Sequence, residues 1–351
     1  MSFSTVNAAE WLADPSAFDT VIDVRSPSEF ADDHLPGSVN WPVLDDLERA
    51  RVGTIYKQVS TFEARKVGGA LVSRRIADIL DQWVADKPKD WRPLVVCWRG
   101  GQRSGSLSLV LAQVGFRTRQ LAGGYKGFRA CVREELTTLP GQFTWQVISG
   151  RTGSGKTRLL HALRDAGAQT LDLEALAAHR GSVLGGLPNQ PQPSQKRFES
   201  LVWAALKQLD PARPVFVESE SRKIGQRQVP EALLQAMRNP ATLVEINMPL
   251  AGRVELLLEE YPECTENVPS FCQCLDALIE LRGRELVGEW QGQAQRGEWQ
   301  PLLHTLLGRH YDPLYDKSTQ GNFRATCLRR ELQLADGRSA SMLAAATALL
   351  S

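Results

Sequence analysis

Short apolar runs alternate with helical patterns along the first part of the chain. The runs 20–25, 93–98 and 118–124 are predicted to be buried strands. Between them, residues 69–86 and 103–115 carry apolar side chains at the three- and four-residue spacing of a helix with one buried face. Because strands that alternate with helices form parallel sheets, this pattern predicts an α/β domain with a mainly parallel sheet.

A second alternating pattern follows an interruption by Pro and Gly at 137–142. It predicts a helix at 156–167, and it predicts strands at 143–150, 168–174, 214–220 and 241–247. The segment 181–200 is a polar loop rich in Gly, Pro and Gln, and loops of this length are usually functional or mobile. After about residue 250 the pattern is helical. We therefore predict two domains, residues 1–136 and residues 137–351, the second with a helical C-terminal region.

Composition narrows the class of protein without identifying it. Of 351 residues, 42% are hydrophobic and 23% are charged, which is ordinary for globular domains. The first residues lack the basic flank and apolar core of a signal peptide, so we expect a cytoplasmic protein. A net charge of +1 neither supports nor excludes RNA binding.

The six cysteines are scattered and do not suggest a disulfide framework. The tightest group is Cys264, Cys272 and Cys274, whose spacing does not match a zinc site. We interpret these three as packing or surface thiols.

Cys97 ends a predicted strand, and a Gly-Gly turn and a helix follow it. Backbone amides at a helix N-terminus bind anions and favour a thiolate, the nucleophilic form of cysteine. Arg99 and Arg103 can add guanidinium donors to a bound oxyanion. We predict that Cys97 is catalytic and that an anion-binding loop consists of Trp98, Arg99, Gly100, Gly101, Gln102, Arg103 and Ser104. The alternative is a buried cysteine at a strand end with no chemical role.

An uninterrupted G-x-x-x-x-G-K-[ST] motif lies between a predicted strand and a predicted helix. Its residues are Gly150, Arg151, Thr152, Gly153, Ser154, Gly155, Lys156 and Thr157. In such a P-loop the amides wrap a diphosphate, the lysine reaches the outer phosphate and the hydroxyl holds Mg²⁺. We therefore assign Lys156 to phosphate and Thr157 to Mg²⁺.

Acidic and basic residues follow the predicted strand 214–220. Glu218 is our first choice for a second Mg²⁺ partner, with Glu220 as the other candidate. Arg222 and Lys223 come directly afterwards and are assigned to phosphate or RNA backbone. A solvated turn explains the same two charges equally simply.

Three segments of the first domain resemble rhodanese domains: 21–42, the loop that begins at Cys97, and 121–129. The resemblance implies a rhodanese-like parallel sheet, a loop cysteine that carries a persulfide or related group, and a structural strand that contains Asp23 and Arg25. In this chain the loop arginine lies six residues after Cys97, as in rhodanese-like phosphatases. A longer loop suits a tetrahedral anion, so we hypothesise a phosphate-bearing donor rather than thiosulfate.

A rhodanese-like domain followed by a P-loop NTPase-like α/β domain resembles the tRNA 2-selenouridine synthases. Segments 53–73, 193–203 and 216–225 are also similar to that family. The resemblance implies a transferase that converts wobble 2-thiouridine in tRNA to 2-selenouridine. Selenophosphate would supply selenium, geranyl diphosphate would form an S-geranylated intermediate, and Mg²⁺ would neutralise the departing diphosphate.

The resemblance leaves particular roles open. Cys97 would carry selenium or act as a nucleophile, and which loop holds which donor is a hypothesis. A geranyl chain needs an apolar groove, for which Trp145, Phe198 and Trp203 are candidates, although all three are equally explained as core residues. None of the five histidines has a pattern that marks a general base.

Two other functions compete with this one. An ATP-dependent tRNA sulfurtransferase would need ATP turnover coupled to a persulfide on Cys97. A phosphatase-like or regulatory nucleotide-binding protein would keep its function without the Cys97 thiol.

Overall fold

The computed structural model describes residues 3–182, 185–187, 190–323 and 327–351. Its contacts divide the chain into two units, residues 1–135 with 194–204, and residues 136–193 with 205–351. The sequence-based boundary lies at residue 136, and the contacts additionally group the helical segment 194–204 with the first unit. Within the predicted loop 181–200, residues 183, 184, 188 and 189 lie outside the described residues.

The first unit contains a five-stranded parallel sheet in the order β1-β5-β4-β2-β3. Its strands are β1 (Ser4–Val6), β2 (Thr20–Asp23), β3 (Val39–Asn40), β4 (Pro93–Val96) and β5 (Arg119–Leu121). Its helices are α1 (Ala8–Ala13), α2 (Pro27–Asp32), α3 (Asp46–Gln58), α4 (Thr61–Ile79), α5 (Gln102–Val114) and α6 (Gly124–Thr138). A π-helical turn, Leu80–Val84, continues α4.

Central strands buried on both faces explain the apolar runs of this unit. Ile22 of β2 and Val95 of β4 are fully buried, and they belong to one core cluster with Ile79 of α4 and Leu107 of α5. Burial of such side chains contributes about 1.5–3 kcal/mol each. The prediction of a parallel α/β sheet with strands at 20–25, 93–98 and 118–124 is confirmed, although β1 and β3 were not foreseen.

The second unit has a parallel sheet in the order β12-β11-β6-β8-β7 and an antiparallel pair β9-β10. Its strands are β6 (Trp145–Gly150), β7 (Gln169–Leu171), β8 (Val215–Glu218), β9 (Lys223–Ile224), β10 (Arg227–Gln228), β11 (Thr242–Asn247) and β12 (Leu328–Gln333). Up to β11 its helices are α7 (Lys156–Asp165), α8 (Leu173–Ala177) and α10 (Glu231–Arg238). Helix α9 (Gln195–Lys207) lies mostly in the first unit, which includes residues 194–204. The later helices are α11 (Leu250–Glu260), α12 (Pro262–Glu266), α13 (Val268–Leu275), α14 (Ile279–Arg282), α15 (Arg284–Gln295), α16 (Trp299–Leu306), α17 (Asp312–Asn322) and α18 (Ser339–Leu350).

Strand β12 interrupts the C-terminal region that the sequence pattern described as helical. It pairs with β11 at the edge of the sheet, and most of its side chains are exposed. An edge strand needs no buried face when its backbone hydrogen bonds to one neighbour, which explains why no apolar alternation marks it.

Two apolar cores support the second unit. Ile148 of β6, Phe216 of β8 and Leu160 of α7 lie in the core of the sheet. Leu275 and Trp290 lie in a separate core built by helices α13, α15 and α16. No helix in the described part of the chain combines the length and apolar character needed to cross a membrane.

Helix α9, most of which belongs to the first unit, is held within that unit by polar contacts around the buried Asp33. The Ser200 hydroxyl and the Tyr125 hydroxyl donate to Asp33 Oδ2 at 2.8 and 2.9 Å. Arg129 donates to Ser200 Oγ at 3.1 Å and forms an ion pair with Glu199 at 2.5 Å. Buried charge with this many partners fixes the position of the helix.

Candidate active sites in the two units

Cys97 follows β4 directly, at the carboxyl end of the sheet and before the N-terminus of α5. Its Sγ accepts hydrogen bonds from the Gly101 amide at 3.3 Å and from the Ser104 hydroxyl at 3.0 Å. The Gln120 side chain donates to Ser104 Oγ at 2.7 Å and orients that hydroxyl toward the sulfur. Two hydrogen-bond donors are thus directed at a sulfur atom whose residue is 3% exposed.

Two glycines allow the backbone to fold closely around Cys97. Gly100 has φ +65°, and a Cβ there would lie 2.4 Å from the Leu121 carbonyl oxygen. Gly124 has φ +54°, and a Cβ there would lie 2.2 Å from the Cys97 carbonyl oxygen. Gly101 has φ −101° and open space around it, so of the two consecutive glycines only Gly100 has a φ that favours glycine.

The predicted anion-binding loop 98–104 is not all loop, and one of its two arginines is already paired. Gln102, Arg103 and Ser104 already belong to helix α5. Arg103 forms a two-armed ion pair with Glu29, with distances of 2.5 and 3.3 Å. Burial raises the pKa of Glu29, but the Arg103 guanidinium outweighs it and leaves that pKa below its usual value. The Arg103 guanidinium can therefore bind an anion only while it also binds Glu29. Arg99, in contrast, is exposed.

A cavity of about 500 Å³ lies between α3, α4 and the start of α5. Tyr56, Lys57 and Arg65 line it together with Gln102 and Arg103 of the predicted anion loop. The cavity joins one exposed aromatic ring to several cations beside the cysteine loop, which is the combination that binds unstacked nucleotides.

The P-loop has the local geometry that its motif predicts. It connects β6 to α7, and Gly153 and Gly155 both have φ +77°. Lys156 Nζ donates to the Gly150 carbonyl at 3.0 Å, so its ammonium lies over the loop. The Arg253 guanidinium donates to the Thr152 carbonyl at 2.9 Å and pairs with Asp312 at 2.6 Å, which braces the loop from behind.

A cavity of about 600 Å³ opens in front of the P-loop. Three carboxylates line it, Glu174, Glu218 and Glu220, whose oxygen atoms lie within 4.8 Å of one another. Thr157 Oγ1 donates to Glu174 Oε2 at 3.4 Å, which links this cluster to the motif. Burial, followed by repulsion from the neighbouring carboxylates, raises the pKa of all three groups.

The carboxylate cluster fits a hard divalent cation. Glu218 is 3% exposed, and its Oε1 has no hydrogen-bond partner among the described residues. A buried carboxylate oxygen without a partner is costly unless a proton or cation meets it. Oxygen ligands beside a P-loop hydroxyl are the ligands that Mg²⁺ prefers. Thr157 and Glu218 were candidates from the sequence, whereas Glu174 was missed because it lies 44 residues earlier in the chain than Glu218.

His310 also lines this cavity and was not singled out by the sequence. Its Nδ1 lies 2.9 Å from Arg282 Nε, and arginine can only donate, so the proton of the neutral ring lies on Nε2. Burial, followed by the charge of Arg282, lowers the pKa of His310. Nε2 is buried without a partner among the described residues, and His310 belongs to a π-helical turn, Leu307–Tyr311. In the sequence His310 is a single histidine in a helical region, and no motif marks it as functional.

The remaining candidates are placed as follows. Arg222 is exposed and lies 3.8 Å from Glu231, and Lys223 is exposed on the short strand β9. Trp145, Phe198 and Trp203 are buried at 3%, 0% and 4% exposure, respectively. All three are core residues and do not form an open groove for a hydrocarbon chain.

Two family models match the chain. The rhodanese-like domain matches residues 8–131, and the tRNA 2-selenouridine synthase AAA domain matches residues 143–277. These ranges contain the cysteine loop and the P-loop, respectively.

Curated relatives cover most of the chain. A tRNA 2-selenouridine synthase from Nitrosomonas europaea is 40% identical over 69% of this chain, and the match spans 63% of that relative, somewhat less than two thirds of its length. A second, from Aeromonas salmonicida, is 36% identical over 84% of this chain and 86% of its own length. Among solved structures, the N-terminal domain of a putative ATP/GTP binding protein from Clostridium difficile 630 is 35% identical over 37% of this chain and 98% of its own, with a TM-score of 0.33.

Proposed function

The chain belongs to the tRNA 2-selenouridine synthase family, and from this membership and its two sites we propose that it converts 2-thiouridine at the wobble base of tRNA to 2-selenouridine. The single observation that carries the proposal is that one chain holds both a hydrogen-bonded cysteine loop and a P-loop facing carboxylates. A transfer enzyme that handles two anionic donors needs two such anion sites.

The first step is assigned to the second unit. Geranyl diphosphate binds with its diphosphate on the P-loop, where the amides and Lys156 neutralise the leaving group. The thiouridine sulfur attacks the allylic carbon, a carbon–sulfur bond forms, and diphosphate departs. Thr157 and Glu218 would hold Mg²⁺, which would supply positive charge to that diphosphate. The Arg151 side chain of the P-loop is half-exposed and pairs with Asp316 at 2.9 Å.

The second step is assigned to the first unit. The Cys97 loop holds the selenophosphate anion, and Cys97 Sγ, which accepts hydrogen bonds from Gly101 and Ser104, is the nucleophile: it bonds to C2 of the S-geranylated base as geranylthiol departs. Selenium of selenophosphate then bonds to C2 and displaces the Cys97 sulfur, and water cleaves the selenium–phosphorus bond to release phosphate. Geranylation comes first because an alkylated sulfur leaves a pyrimidine more easily than sulfide does.

The tRNA is bound by the cavity beside the cysteine loop and by exposed basic side chains. Tyr56 is 58% exposed, and it is positioned to stack on an unpaired base while Lys57 and Arg65 contact phosphates. Arg222 and Lys223 are proposed to contribute on the second unit.

The proposal is tested with a 2-thiouridine tRNA, selenophosphate and geranyl diphosphate, with each component omitted in turn. Mass spectrometry of the nucleosides is expected to detect S-geranyl-2-thiouridine without selenophosphate, and 2-selenouridine only with both donors. Selenouridine formed without geranyl diphosphate would overturn the geranylated intermediate. ATP-dependent changes in the tRNA would favour the sulfurtransferase instead.

A further inference from the structure

An apolar chamber lies beside the phosphate cavity of the second unit. Helices α11, α13 and α16 contribute most of its wall, including Leu258, Phe271, Trp299, Leu303 and Leu306. Carbon atoms make up nearly all of the lining, and none of the described residues that form it carries a charged side chain. Such a surface binds hydrocarbon rather than a second phosphate or a nucleotide base edge.

The chamber and the phosphate cavity share part of their walls. Thr152 of the P-loop, Leu257 of α11, and Tyr261 and Tyr311 line both spaces. The two spaces are therefore adjacent, and a ligand with its charged head on the P-loop has an apolar surface next to it.

The size of the chamber limits what it can hold. Its volume is about 60 Å³, and a water-sized sphere takes roughly 10–15 Å³ on the same measure. It therefore has room for about five heavy atoms, which corresponds to one isoprene unit. Phe271 and Trp299 line the chamber but not the phosphate cavity, and their rings pack edge to face at 5.5 Å. These two rings belong to the part of the chamber wall that is not shared with the phosphate cavity.

The one thiol of the chamber wall fits a dry interior. Burial, followed by the neighbouring Glu263, raises the pKa of Cys264 to about 11, so the thiol is uncharged near neutral pH. Cys264 thus adds apolar surface to the wall, in agreement with the packing role expected from the sequence.

We propose that this chamber binds the terminal five-carbon unit of an allylic diphosphate, and that Phe271 and Trp299 limit the chain to ten carbons. The first isoprene unit lies against Leu257, Tyr261 and Tyr311, and the diphosphate lies on the P-loop. The inference rests on the proposed function, because it assigns a position to the hydrocarbon chain of the proposed donor. It adds a determinant of chain length that neither motif contains.

Binding is measured first, by calorimetry with Mg²⁺ and either geranyl diphosphate or inorganic diphosphate. Wild-type protein is expected to bind geranyl diphosphate roughly a hundredfold more tightly, because the chain is removed from water. Leu303→Trp places an indole in the chamber and is expected to erase that preference while inorganic diphosphate binds as before. Leu281→Trp, an exposed position in the same helical region, is the matched control and is expected to keep the preference.

A second variant changes the chamber in the opposite direction. Trp299→Ala removes an indole ring from the chamber wall and is expected to bring the affinity for the fifteen-carbon farnesyl diphosphate to within about threefold of that for geranyl diphosphate, whereas wild type favours the shorter chain at least tenfold. Unchanged chain preference in both Leu303→Trp and Trp299→Ala would overturn the chamber assignment.

Failure of the chamber assignment can be distinguished from failure of the proposed geranyl transfer. If geranyl diphosphate binds no more tightly than inorganic diphosphate, the chamber assignment is wrong, whatever the tRNA assay reports. If geranyl diphosphate binds selectively and Leu303→Trp abolishes this, the chamber stands even when no geranyl group reaches the tRNA, and only the proposed transfer fails.

Discussion

At the scale of single residues, the chemistry of the first unit depends on what surrounds one sulfur atom. The Ser104 hydroxyl donates to Cys97 Sγ, and Gln120 holds that hydroxyl in place. A hydrogen bond to a charged group contributes about 1.5–3 kcal/mol.

Replacing Ser104 by alanine is therefore expected to slow alkylation of Cys97 by iodoacetamide about tenfold at fixed pH, because one donor to the thiolate is lost. Ser106→Ala is the control, since that hydroxyl donates to the Gln102 carbonyl and not to the sulfur. Equal rates in the two variants would show that the Ser104 contact does not activate the thiol.

In the second unit, the predicted role of Glu218 as a Mg²⁺ ligand can be tested by substitution. Glu218→Gln keeps the shape of the side chain but removes a ligand charge, so Mg²⁺ with inorganic diphosphate is expected to raise the melting temperature of wild type and to raise that of the variant much less. Glu255→Gln, on the exposed face of α11, is expected to behave like wild type. An undiminished Mg²⁺ effect in Glu218→Gln would exclude this carboxylate as a ligand.

Residues adjacent in sequence were predictable, and residues brought together by folding were not. Cys97 with its Gly-Gly turn and Lys156 with its P-loop were found because each motif is local and precedes a helix. Glu174 and His310 were missed because their relation to the P-loop depends on the positions of β7 and of the helices after β11.

At the scale of elements, alternating strands and helices were predictable because buried parallel strands are almost wholly apolar. Strand β12 was not, because its side chains are mostly exposed. The grouping of helix α9 with the first unit was not predictable either, since its contacts to Asp33 and Arg129 join residues far apart in the sequence.

The buried contacts of α9 give a stability prediction. Arg129→Ala is expected to lower the free energy of unfolding by about 3–5 kcal/mol, because it leaves Asp33 buried with fewer compensating charges. Lys196, also on α9, forms a half-exposed ion pair with Asp32. Lys196→Ala removes this pair and is expected to lower the free energy of unfolding by less than about 1 kcal/mol. Urea denaturation compares the two, and equal losses would contradict a structural role for the Asp33 network.

The hairpin formed by α3 and α4 is the element proposed to contact tRNA. Tyr56→Ala is expected to weaken tRNA binding about tenfold, since stacking on one base contributes about 1–3 kcal/mol. Val59→Ala is the control, because that side chain is 70% exposed and outside the cavity. Filter binding at fixed salt measures both, and an unaffected Tyr56→Ala affinity would remove this surface from the tRNA site.

At the scale of the whole molecule, each unit contains one candidate anion site, and one proposed chemical step belongs to each. The cysteine loop is built entirely from residues of the first unit, and the P-loop, the carboxylates and the apolar chamber are built entirely from residues of the second. Each step can therefore be removed by a change that leaves the other site intact.

Mass spectrometry of tRNA nucleosides after reaction with Cys97→Ser and with Lys156→Ala tests this division most directly. With both donors present, Cys97→Ser is expected to accumulate S-geranyl-2-thiouridine and to form no 2-selenouridine. Lys156→Ala is expected to form neither product from 2-thiouridine tRNA, yet to form 2-selenouridine when the tRNA is already geranylated. Loss of geranylation in Cys97→Ser, or loss of selenium transfer to geranylated tRNA in Lys156→Ala, would contradict the account.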